Sequence, residues 1–382
     1  MPFDLVLMNM SRKADWDRGV VNRNYYVARE LSGMPEIKKV LHIDFLPHTF
    51  RRAARVLFED IVRGGKKNVV KRGVLWVLRT GQKPNQYVLT TVEPIVSEKR
   101  FLRTLLSVLN HLEFQQTILW SYVPTFVGAF LLDSWEKKIF DVVDDWSAHP
   151  SYRSLWKRLE KNYQIIQAQA DHIFTVSSHL TKKFAGHPSV HWVPNGVDPE
   201  RFSAVHGTSP YPIEQTPRLV YVGVIQSRID TDLLAHIATM RPNYHIYLLG
   251  PVWPDAHTDS LRTCPNIHFV GFVPAQRLPT YLVHANVGIM PHRNTPLVAS
   301  MNPMKIYEYL AAGIPSVSTP IRDFGAFPGV TMTETHEQFL AAVDAAIAAP
   351  PSKEALRASI KSHTWASRVA ALWSVIHGPK EA

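Results

Sequence analysis

The fold of this chain is decided by the stretch Asn302-Pro303-Met304-Lys305-Ile306-Tyr307-Glu308-Tyr309-Leu310-Ala311-Ala312-Gly313-Ile314-Pro315. Asn302 predicts an N-cap and Pro303 the first helical position, while Gly313 is typical of the end of a helix. Lys305 and Glu308 are three residues apart, so both side chains project from one face near the helix start. A helix N-terminus favours anions, a lysine neutralises a phosphate and a glutamate accepts hydrogen bonds from ribose hydroxyls. The stretch therefore predicts a site for a phosphorylated sugar nucleotide; the alternative is an ordinary surface ion pair.

The same stretch, with Ser316-Val317-Ser318 after it, resembles the nucleotide-sugar helix of GT-B glycosyltransferases. It is similar to teichuronic-acid-type members of glycosyltransferase family 4 and, more distantly, to the xanthan glucuronosyltransferase. Further resemblance to these enzymes lies in Val193-Pro194-Asn195-Gly196-Val197-Asp198 with Arg201-Phe202, which matches the connection between their domains, and in Leu219-Val220-Tyr221-Val222-Gly223, which matches the first strand of their second domain. The resemblance implies an α/β protein with two Rossmann-like domains that face each other across a cleft.

Length and composition favour a folded protein of two domains. The chain has 382 residues, with 46% apolar and 19% charged residues, enough for two separate cores. Cys264 is the single cysteine, which excludes an internal disulfide and favours a reducing cytoplasm. The sequence has no apolar run of 18 or more residues and no basic start followed by a long apolar core. We therefore expect a cytoplasmic protein with neither a signal peptide nor a transmembrane helix.

The positive charge is concentrated in the first half of the chain. The formal net charge is +10, and residues 1–195 contain 28 basic against 18 acidic residues. The densest basic segment contains Arg51, Arg52, Arg55, Arg63, Lys66, Lys67, Lys71 and Arg72, interleaved with apolar residues. This mixture predicts a surface that meets anionic lipid, with Arg51, Arg52, Arg55, Lys66 and Lys67 as the contacts. A solvated basic face is the alternative; nucleic-acid binding is disfavoured, because no recognisable nucleic-acid module accompanies the charge.

Short apolar runs alternate with helical patterns along the whole chain, which predicts βαβ units and parallel sheets. Helices are predicted, among others, over residues 125–132, 303–312 and 353–376. We predict a first domain over residues 1–195, an acceptor-binding domain, and a nucleotide-sugar-binding domain over residues 196–363. The resemblance implies that a terminal helix, residues 364–382, packs back on the first domain; the alternative is that it packs on its own domain.

Several residues of the second domain are candidates for donor binding. Gly223 would let the backbone approach a phosphate, and Arg228 would add a second cation. The resembled family instead has Arg directly after this glycine and Lys further on. The resemblance places the nucleotide base beside Val270-Gly271-Phe272-Val273, for which the alternative is a plain strand-ending turn. The donor-binding set is then Gly223, Arg228, Gly271, Phe272, Val273, Asn302, Met304, Lys305 and Glu308.

One acidic position of the resembled family is missing. Family 4 enzymes carry two glutamates separated by seven residues, and this chain has Ser300 at the first position and Glu308 at the second. In the family the first glutamate contacts the transferred sugar, so the sugar identity is left open.

Asp144 and Asp145 are the catalytic candidates of the first domain. They follow a predicted strand, and a carboxylate there could act as a general base on a sugar hydroxyl. Asp144 matches the proposed catalytic Asp of the xanthan enzyme, and Asp145 would orient it. A base at Asp144 implies inversion of the anomeric configuration; without it, retention is expected. The alternatives are a helix cap, a paired structural aspartate, or a Mg²⁺ site.

A loop after the first strand is the candidate reaction-centre loop, with Arg18, Gly19 and Asn22 as its residues; the alternative is a plain strand-to-helix turn. We predict no metal site and no cofactor beyond the nucleotide diphosphate sugar. The absence of a Walker phosphate loop and of Gly-x-Gly-x-x-Gly argues against an ATPase and a dinucleotide dehydrogenase.

Together these patterns predict a metal-independent hexosyl- or glycuronosyltransferase that moves a sugar from a UDP-linked donor to a lipid-linked glycan in polysaccharide biosynthesis. We expect it in the cytoplasm, bound peripherally to the inner face of the cell membrane, without a nucleic-acid partner. A nucleotide-sugar epimerase of the same fold and a non-enzymatic protein that binds anionic membranes or polymers are the alternatives.

Overall fold

The structure, a computed structural model, describes residues 2–64, 67–203, 207–322 and 324–378. The chain divides into two compact units. The first contains the residues up to Val176, Leu180–Val193 and the chain from Leu372 onward, and the second contains Ser177–His179 and Pro194–Ala371. The predicted arrangement of the two across a cleft stays a prediction.

The first unit is built on a sheet with the strand order β3-β4-β5-β2-β1-β6-β7-β8-β9. Its strands are β1 Phe3–Met8, β2 Ile37–Ile43, β3 Val69–Arg72, β4 Trp76–Thr80, β5 Gln86–Thr91, β6 Thr117–Ser121, β7 Lys137–Val142, β8 His172–Thr175 and β9 Val190–Trp192. From β5 to β9 neighbouring strands pair in parallel, as predicted. The edge departs from the prediction, because β3 and β4 pair antiparallel. The exposed, basic β3 lacks the apolar run that marks a buried strand.

The helices of the first unit lie between these strands. They are α1 Lys13–Asp17, α2 Arg23–Leu31, α3 Phe50–Val56, a π-helix Leu57–Val62, α4 Glu93–Val96, α5 Glu98–His111, a 3-10 helix Gly128–Leu131, a 3-10 helix Pro150–Leu155, α6 Trp156–Gln169 and α7 Ser178–Lys183. The α-helix predicted over residues 125–132 is wrong. Gly128 donates its N–H to Glu98 Oε1 at 2.8 Å, and the Ala129 carbonyl accepts from Trp135 Nε1 at 2.7 Å. These side chains take backbone groups that an α-helix would need.

A buried ion pair lies in the middle of the first unit. Arg23 Nε is 2.9 Å from Asp141 Oδ1 and 3.0 Å from Asp141 Oδ2, and both side chains are fully buried. Arg23 also donates through Nη1 to the Val193 carbonyl at 3.0 Å, so it joins α2, β7 and the segment after β9. Burial raises the pKa of Asp141, and the Arg23 guanidinium opposes the rise. The charge on Asp141 is therefore tolerated because Arg23 lies against it.

The second unit contains a parallel sheet with the order β12-β11-β10-β13-β14-β15. Its strands are β10 Arg218–Val222, β11 His245–Leu249, β12 Ile267–Gly271, β13 Val287–Met290, β14 Ser316–Ser318 and β15 Val330–Met332. The chain runs outward from β10 to β12 and then returns to β13 on the other side of β10. In such sheets ligands bind at the carboxyl ends of the strands where the order reverses, here β10 and β13.

Helices flank this second sheet. They are α8 Glu200–Ser203, α9 Thr231–Met240, α10 Asp259–Arg262, α11 Leu278–Leu282, α12 Pro296–Ala299, α13 Met304–Ala312, α14 His336–Ala348, α15 Lys353–Ser359 and α16 Trp365–His377. The single helix predicted over residues 353–376 is wrong, because it is broken between α15 and α16. At the break, Val197 donates to the His363 carbonyl at 3.0 Å and accepts from Trp365 N–H at 3.2 Å. Backbone pairing with Val197 thus replaces the helical bonds there.

The end of α16 packs on the first unit. The Phe3 ring of β1 is 6.2 Å from the Trp373 ring and stacks on His377 at 4.8 Å. Across the described ranges, none of the helices is both long and apolar enough to span a bilayer.

Replacing Arg23 with Met tests the buried ion pair. We expect Arg23→Met to lower the free energy of unfolding by about 3–5 kcal/mol at pH 7, because it leaves the Asp141 carboxylate buried without its cation. The folded-state pKa of Asp141 then rises further above its unfolded value, so stability is lost as the pH rises from about 4 toward neutrality. Urea unfolding of Arg23→Met at pH 4.5 and pH 7 measures this. The double variant Arg23→Met/Asp141→Leu is the control and should recover most of the loss; an Arg23→Met loss independent of pH would contradict the assignment.

Candidate active site

Helix α13 is held against the sheet by Tyr309. The Val222 N–H at the end of β10 donates to Tyr309 Oη at 3.1 Å. The Tyr309 ring covers Gly288 of β13, where a Cβ would lie 2.3 Å from the ring. A glycine is therefore required at residue 288 for the ring to lie there. This contact fixes α13 at the two strands where the strand order reverses.

Lys305 and Glu308 form an ion pair with each other, which is the contact that the alternative interpretation of the sequence gives. Lys305 Nζ is 2.7 Å from Glu308 Oε2, and both residues lie in the first half of α13. The Glu308 side chain is only 4% exposed and that of Lys305 20% exposed. The pair is therefore mostly buried, and in its burial it differs from the ordinary surface pair of that alternative. Gly313 ends the helix with a φ of +78°, as predicted.

The predicted cap of this helix is wrong. Pro303 rather than Asn302 is at the N-cap position, and it has no side-chain cap. Asn302 Oδ1 instead accepts from the Asn195 backbone N–H at 2.9 Å, and Asn195 Nδ2 donates to the Asn302 carbonyl at 2.6 Å. Asn302 thus ties the segment before α13 to the segment that follows β9. Met304, the first residue of α13, is half-buried.

Gly223 lies at the carboxyl end of β10 with a φ of +152°, a conformation that side chains rarely adopt. Its carbonyl packs against Gly250, where a Cβ would lie 1.9 Å from the Gly223 oxygen. Two strand ends therefore meet backbone to backbone here. This packing requires a glycine at residue 250, whereas residue 223 requires one for its positive φ.

Arg228 lies between β10 and α9, half-buried. Its Nη1 is 3.8 Å from Met301 Sδ, and within the described ranges its buried Nε has no hydrogen-bond partner. Burial lowers the pKa of His292 to about 3, and the Arg228 charge adds to this effect. A buried guanidinium N–H without a partner is uncommon in a folded protein. It makes Arg228 a donor ready for an anion.

The other donor-side candidates lie at the carboxyl ends of the sheet or beside α13. Gly271 ends β12 with a φ of +79°, Phe272 after it is exposed and Val273 is half-buried. Ser300, at the first acidic position of the resembled pattern, is buried. Its Oγ donates to the Leu297 carbonyl at 2.7 Å. A carboxylate is thus replaced by a hydroxyl that is bonded within its own turn.

Asp144 and Asp145 follow β7 in the first unit. Asp145 is buried and accepts from Ser147 N–H at 3.0 Å, from Ser147 Oγ at 2.6 Å and from Lys183 Nζ at 3.2 Å. Asp145 is therefore a paired aspartate that fixes the turn. Its neighbour Asp144 is half-buried in the same turn.

The loop between α1 and α2 carries Arg18, Gly19 and Asn22. Gly19 has a φ of +87°, which favours glycine. Asn22 caps α2, since its Oδ1 accepts from Tyr25 N–H at 3.2 Å. Arg18 follows α1 and is exposed. The loop is thus a glycine-dependent turn with a capped helix after it.

Comparisons with known proteins agree with the geometry of the second unit. The family described as "Glycosyl transferases group 1" matches residues 216–356. The Bacillus subtilis (strain 168) protein "Putative teichuronic acid biosynthesis glycosyltransferase TuaH" is 26% identical over 323 residues, which cover 80% of this chain and 79% of that protein. Most of the second unit therefore matches a glycosyltransferase family.

Solved structures of low sequence identity share the fold over nearly the whole chain. Trehalose-6-phosphate synthase OtsA superposes with a TM-score of 0.68 at 12% identity, covering 99% of both chains. Anabaena HepE, solved in complex with UDP and glucose, gives 0.63 at 10% identity, covering 99% of this chain and 100% of that one. The chain therefore has the GT-B fold with two Rossmann-like units.

Sequence reasoning missed one buried carboxylate of the glycosyltransferase. Asp44 directly follows β2 and is fully buried. It accepts from the Lys13 N–H at 2.7 Å and from Thr90 Oγ1 at 2.6 Å. Burial raises the pKa of Asp44 to about 6. A lone aspartate at a predicted strand end is the signal that could have found it.

The basic segment of the glycosyltransferase is helical. Its inner face, with Ala53, Val56 and Ile61, packs on the sheet edge. Its outer face exposes a stripe at intervals of four residues: Phe50 (78% exposed), Ala54, Phe58 and Val62. The predicted contacts Arg51, Arg52, Arg55 and Lys67 are exposed, whereas Lys66 lies outside the described residues. We call the four apolar residues and Arg51, Arg52 and Arg55 the basic stripe.

The described part of the chain contains no group of three His, Cys, Asp or Glu side chains placed to hold a metal ion.

Proposed function

We propose that this glycosyltransferase takes its sugar from a uridine diphosphate donor bound by the second unit. The observation that carries the proposal is the mostly buried Lys305–Glu308 pair at the start of α13. A lysine and a glutamate at the end of a parallel sheet combine a cation for phosphate with an acceptor for hydroxyls. HepE, which shares the fold, was solved with UDP and glucose. That likeness supports the choice of uridine diphosphate.

In this proposal the diphosphate is neutralised by side chains in place of a metal ion. Lys305 donates through its ammonium, and Arg228 through the buried Nε that has no partner in the described residues. The backbone at Gly223 and the N-terminus of α13 add favourable dipoles. These groups stabilise the negative charge that develops on the leaving UDP.

The ribose and the base of the donor are bound by separate groups next to the diphosphate site. Glu308 accepts the ribose hydroxyls. The backbone from Gly271 to Val273 reads the base edge, and the exposed Phe272 ring offers a surface for stacking. Met304 borders the site at the first turn of α13.

In the first unit we assign Asp144 as the general base that takes the proton from the acceptor hydroxyl, which makes the reaction inverting. Asp145, fixed by Lys183 and Ser147, holds the turn that carries Asp144. The loop of Arg18, Gly19 and Asn22 contacts the acceptor. A base near neutral pH contributes about 10²–10⁴-fold to rate.

The acceptor in this proposal is a lipid-linked glycan, and the reaction belongs to polysaccharide biosynthesis at the cytoplasmic face of the membrane. The teichuronic acid role in the name of TuaH supports the biosynthetic setting. The basic stripe supports the membrane location, since exposed aromatic rings among arginines favour the interface of an anionic bilayer.

Replacing Lys305 tests the donor site. We expect Lys305→Ala to weaken UDP binding by roughly 10- to 100-fold, because a charge-assisted contact with the diphosphate is lost. Titration calorimetry with UDP and with uridine separates this from loss of fold, since uridine affinity should stay unchanged. Lys353→Ala, an exposed lysine at the start of α15, is the matched control. Equal UDP affinity in Lys305→Ala and wild type would contradict the site.

Replacing Asp144 tests the base. We expect Asp144→Asn to reduce turnover by at least about a hundredfold with UDP affinity unchanged. The measurement is UDP release from UDP-glucose, UDP-N-acetylglucosamine and UDP-glucuronate in the presence of bacterial membrane extract. Asp133→Asn, an exposed aspartate of the same unit, is the control. Full turnover in Asp144→Asn would remove the assignment and favour a retaining reaction.

Charge reversal in the basic stripe tests membrane binding. We expect the triple change of Arg51, Arg52 and Arg55 to Glu to lower binding to phosphatidylserine vesicles by at least about thirtyfold, because each basic residue near the surface contributes about 1 kcal/mol. The measurement is vesicle co-sedimentation. The control changes Lys99, Lys157 and Lys161, also exposed in the first unit, to Glu and gives the same net charge. If both triples lose binding equally, net charge rather than the basic stripe is responsible.

A further inference from the structure

The first unit contains a cavity of about 500 Å³ beneath the basic stripe. It lies between α1, the strands β4 and β5, and the residues Gly64 and Asn68. Its size is in the range of small-molecule sites. Asp60, a residue of the π-helix, lines the cavity, while Phe58 and Val62 of the same helix are exposed. The cavity and the proposed membrane contact therefore share one structural element.

A buried carboxylate forms part of the cavity wall. Asp44 accepts one hydrogen bond at each oxygen, from Lys13 N–H and Thr90 Oγ1. Each carboxylate oxygen can accept a second hydrogen bond, so capacity remains for a ligand. An asparagine would fill the same space without a charge to desolvate. A buried carboxylate costs stability because its charge is desolvated, and such a residue in a cavity wall is typical of a binding site.

The other walls of the cavity carry both positively and negatively charged side chains. Lys13 Nζ is 2.6 Å from Asp17, and Gln82 Nε2 donates to Asp17 at 3.0 Å. Arg79 Nη2 donates to the Asp60 carbonyl at 2.6 Å. The cavity thus offers ammonium, guanidinium and amide donors next to carboxylate acceptors. Three aspartates, Asp17, Asp44 and Asp60, outnumber the two cations Lys13 and Arg79 in the lining, which disfavours a phosphate or a uronic acid.

We propose that this cavity binds one uncharged sugar residue of the acceptor glycan. The inference rests on the proposed function and names the chemical class of its acceptor. A sugar hydroxyl both donates and accepts, which matches walls that carry both kinds of group. An acceptor held at the bilayer by its lipid would present its sugars next to the basic stripe, where the cavity lies.

Saturation-transfer NMR on the full chain tests the cavity. The probes are methyl β-glucoside, methyl N-acetyl-β-glucosaminide and methyl β-glucuronide, with inorganic phosphate as competitor. We expect the two neutral glycosides to bind, the glucuronide not to bind, and phosphate not to compete with the neutral glycosides. Asp44→Asn should raise the Kd of the neutral glycosides about tenfold, since a charged acceptor is lost. Ala14→Leu, which fills the cavity from α1, should abolish binding, and the control Asp133→Asn should leave it unchanged.

Several results would overturn the inference. These are no binding of either neutral glycoside, equal binding of the glucuronide, competition by phosphate, or unchanged Kd values in both Asp44→Asn and Ala14→Leu. UDP binding is measured on each variant and should stay at the wild-type value. If UDP binds and the glycosides do not, the cavity assignment fails while the donor proposal stands. If the wild type does not bind UDP, the proposed function fails instead.

Discussion

The packing of the Tyr309 ring over Gly288 is the constraint on which the donor side of this glycosyltransferase depends. It allows Tyr309 Oη to accept from the Val222 N–H at the end of β10 and so holds α13 against β10 and β13. The hydrogen bond to Tyr309 and the absence of a Cβ at Gly288, both inside the core, thus help to position the helix that carries Lys305 and Glu308.

Several polar candidate groups lie at the ends of strands, and buried interactions in the same unit hold those strand ends in place. Gly223 and Gly250 meet backbone to backbone at one such end. In the first unit, the fully buried pair of Arg23 and Asp141 fixes β7, and the turn with Asp144 follows that strand. Each candidate group therefore depends on an interaction that lies deeper in the same unit. The proposed chemistry needs this order, because charged groups act efficiently when they are held in place before the substrate binds.

Much of the second unit could be predicted from its sequence, because local signals and packing agree there. Gly313 ends α13 as expected, and Lys305 and Glu308 lie on one face of the helix as their spacing predicts, where they form an ion pair. The predictions were wrong where the chain forms hydrogen bonds with backbone groups that are distant in sequence. Asn302 binds Asn195 instead of capping α13, and Val197 interrupts the helix predicted over residues 353–376. In the first unit, charge predicted the basic segment, but the exposed stripe of Phe50 and Phe58 and the cavity with Asp44 depend on folding that no local pattern shows.

The most direct test of the account is a crystal structure of the protein with UDP. The account predicts the diphosphate within about 3 Å of Lys305 Nζ and Arg228 Nε, the usual distance of a charge-assisted hydrogen bond. It also predicts the ribose hydroxyls against Glu308 and the Tyr309–Val222 hydrogen bond intact. A nucleotide bound away from α13, or a Lys305 that contacts Glu308 alone while UDP is present, would contradict it.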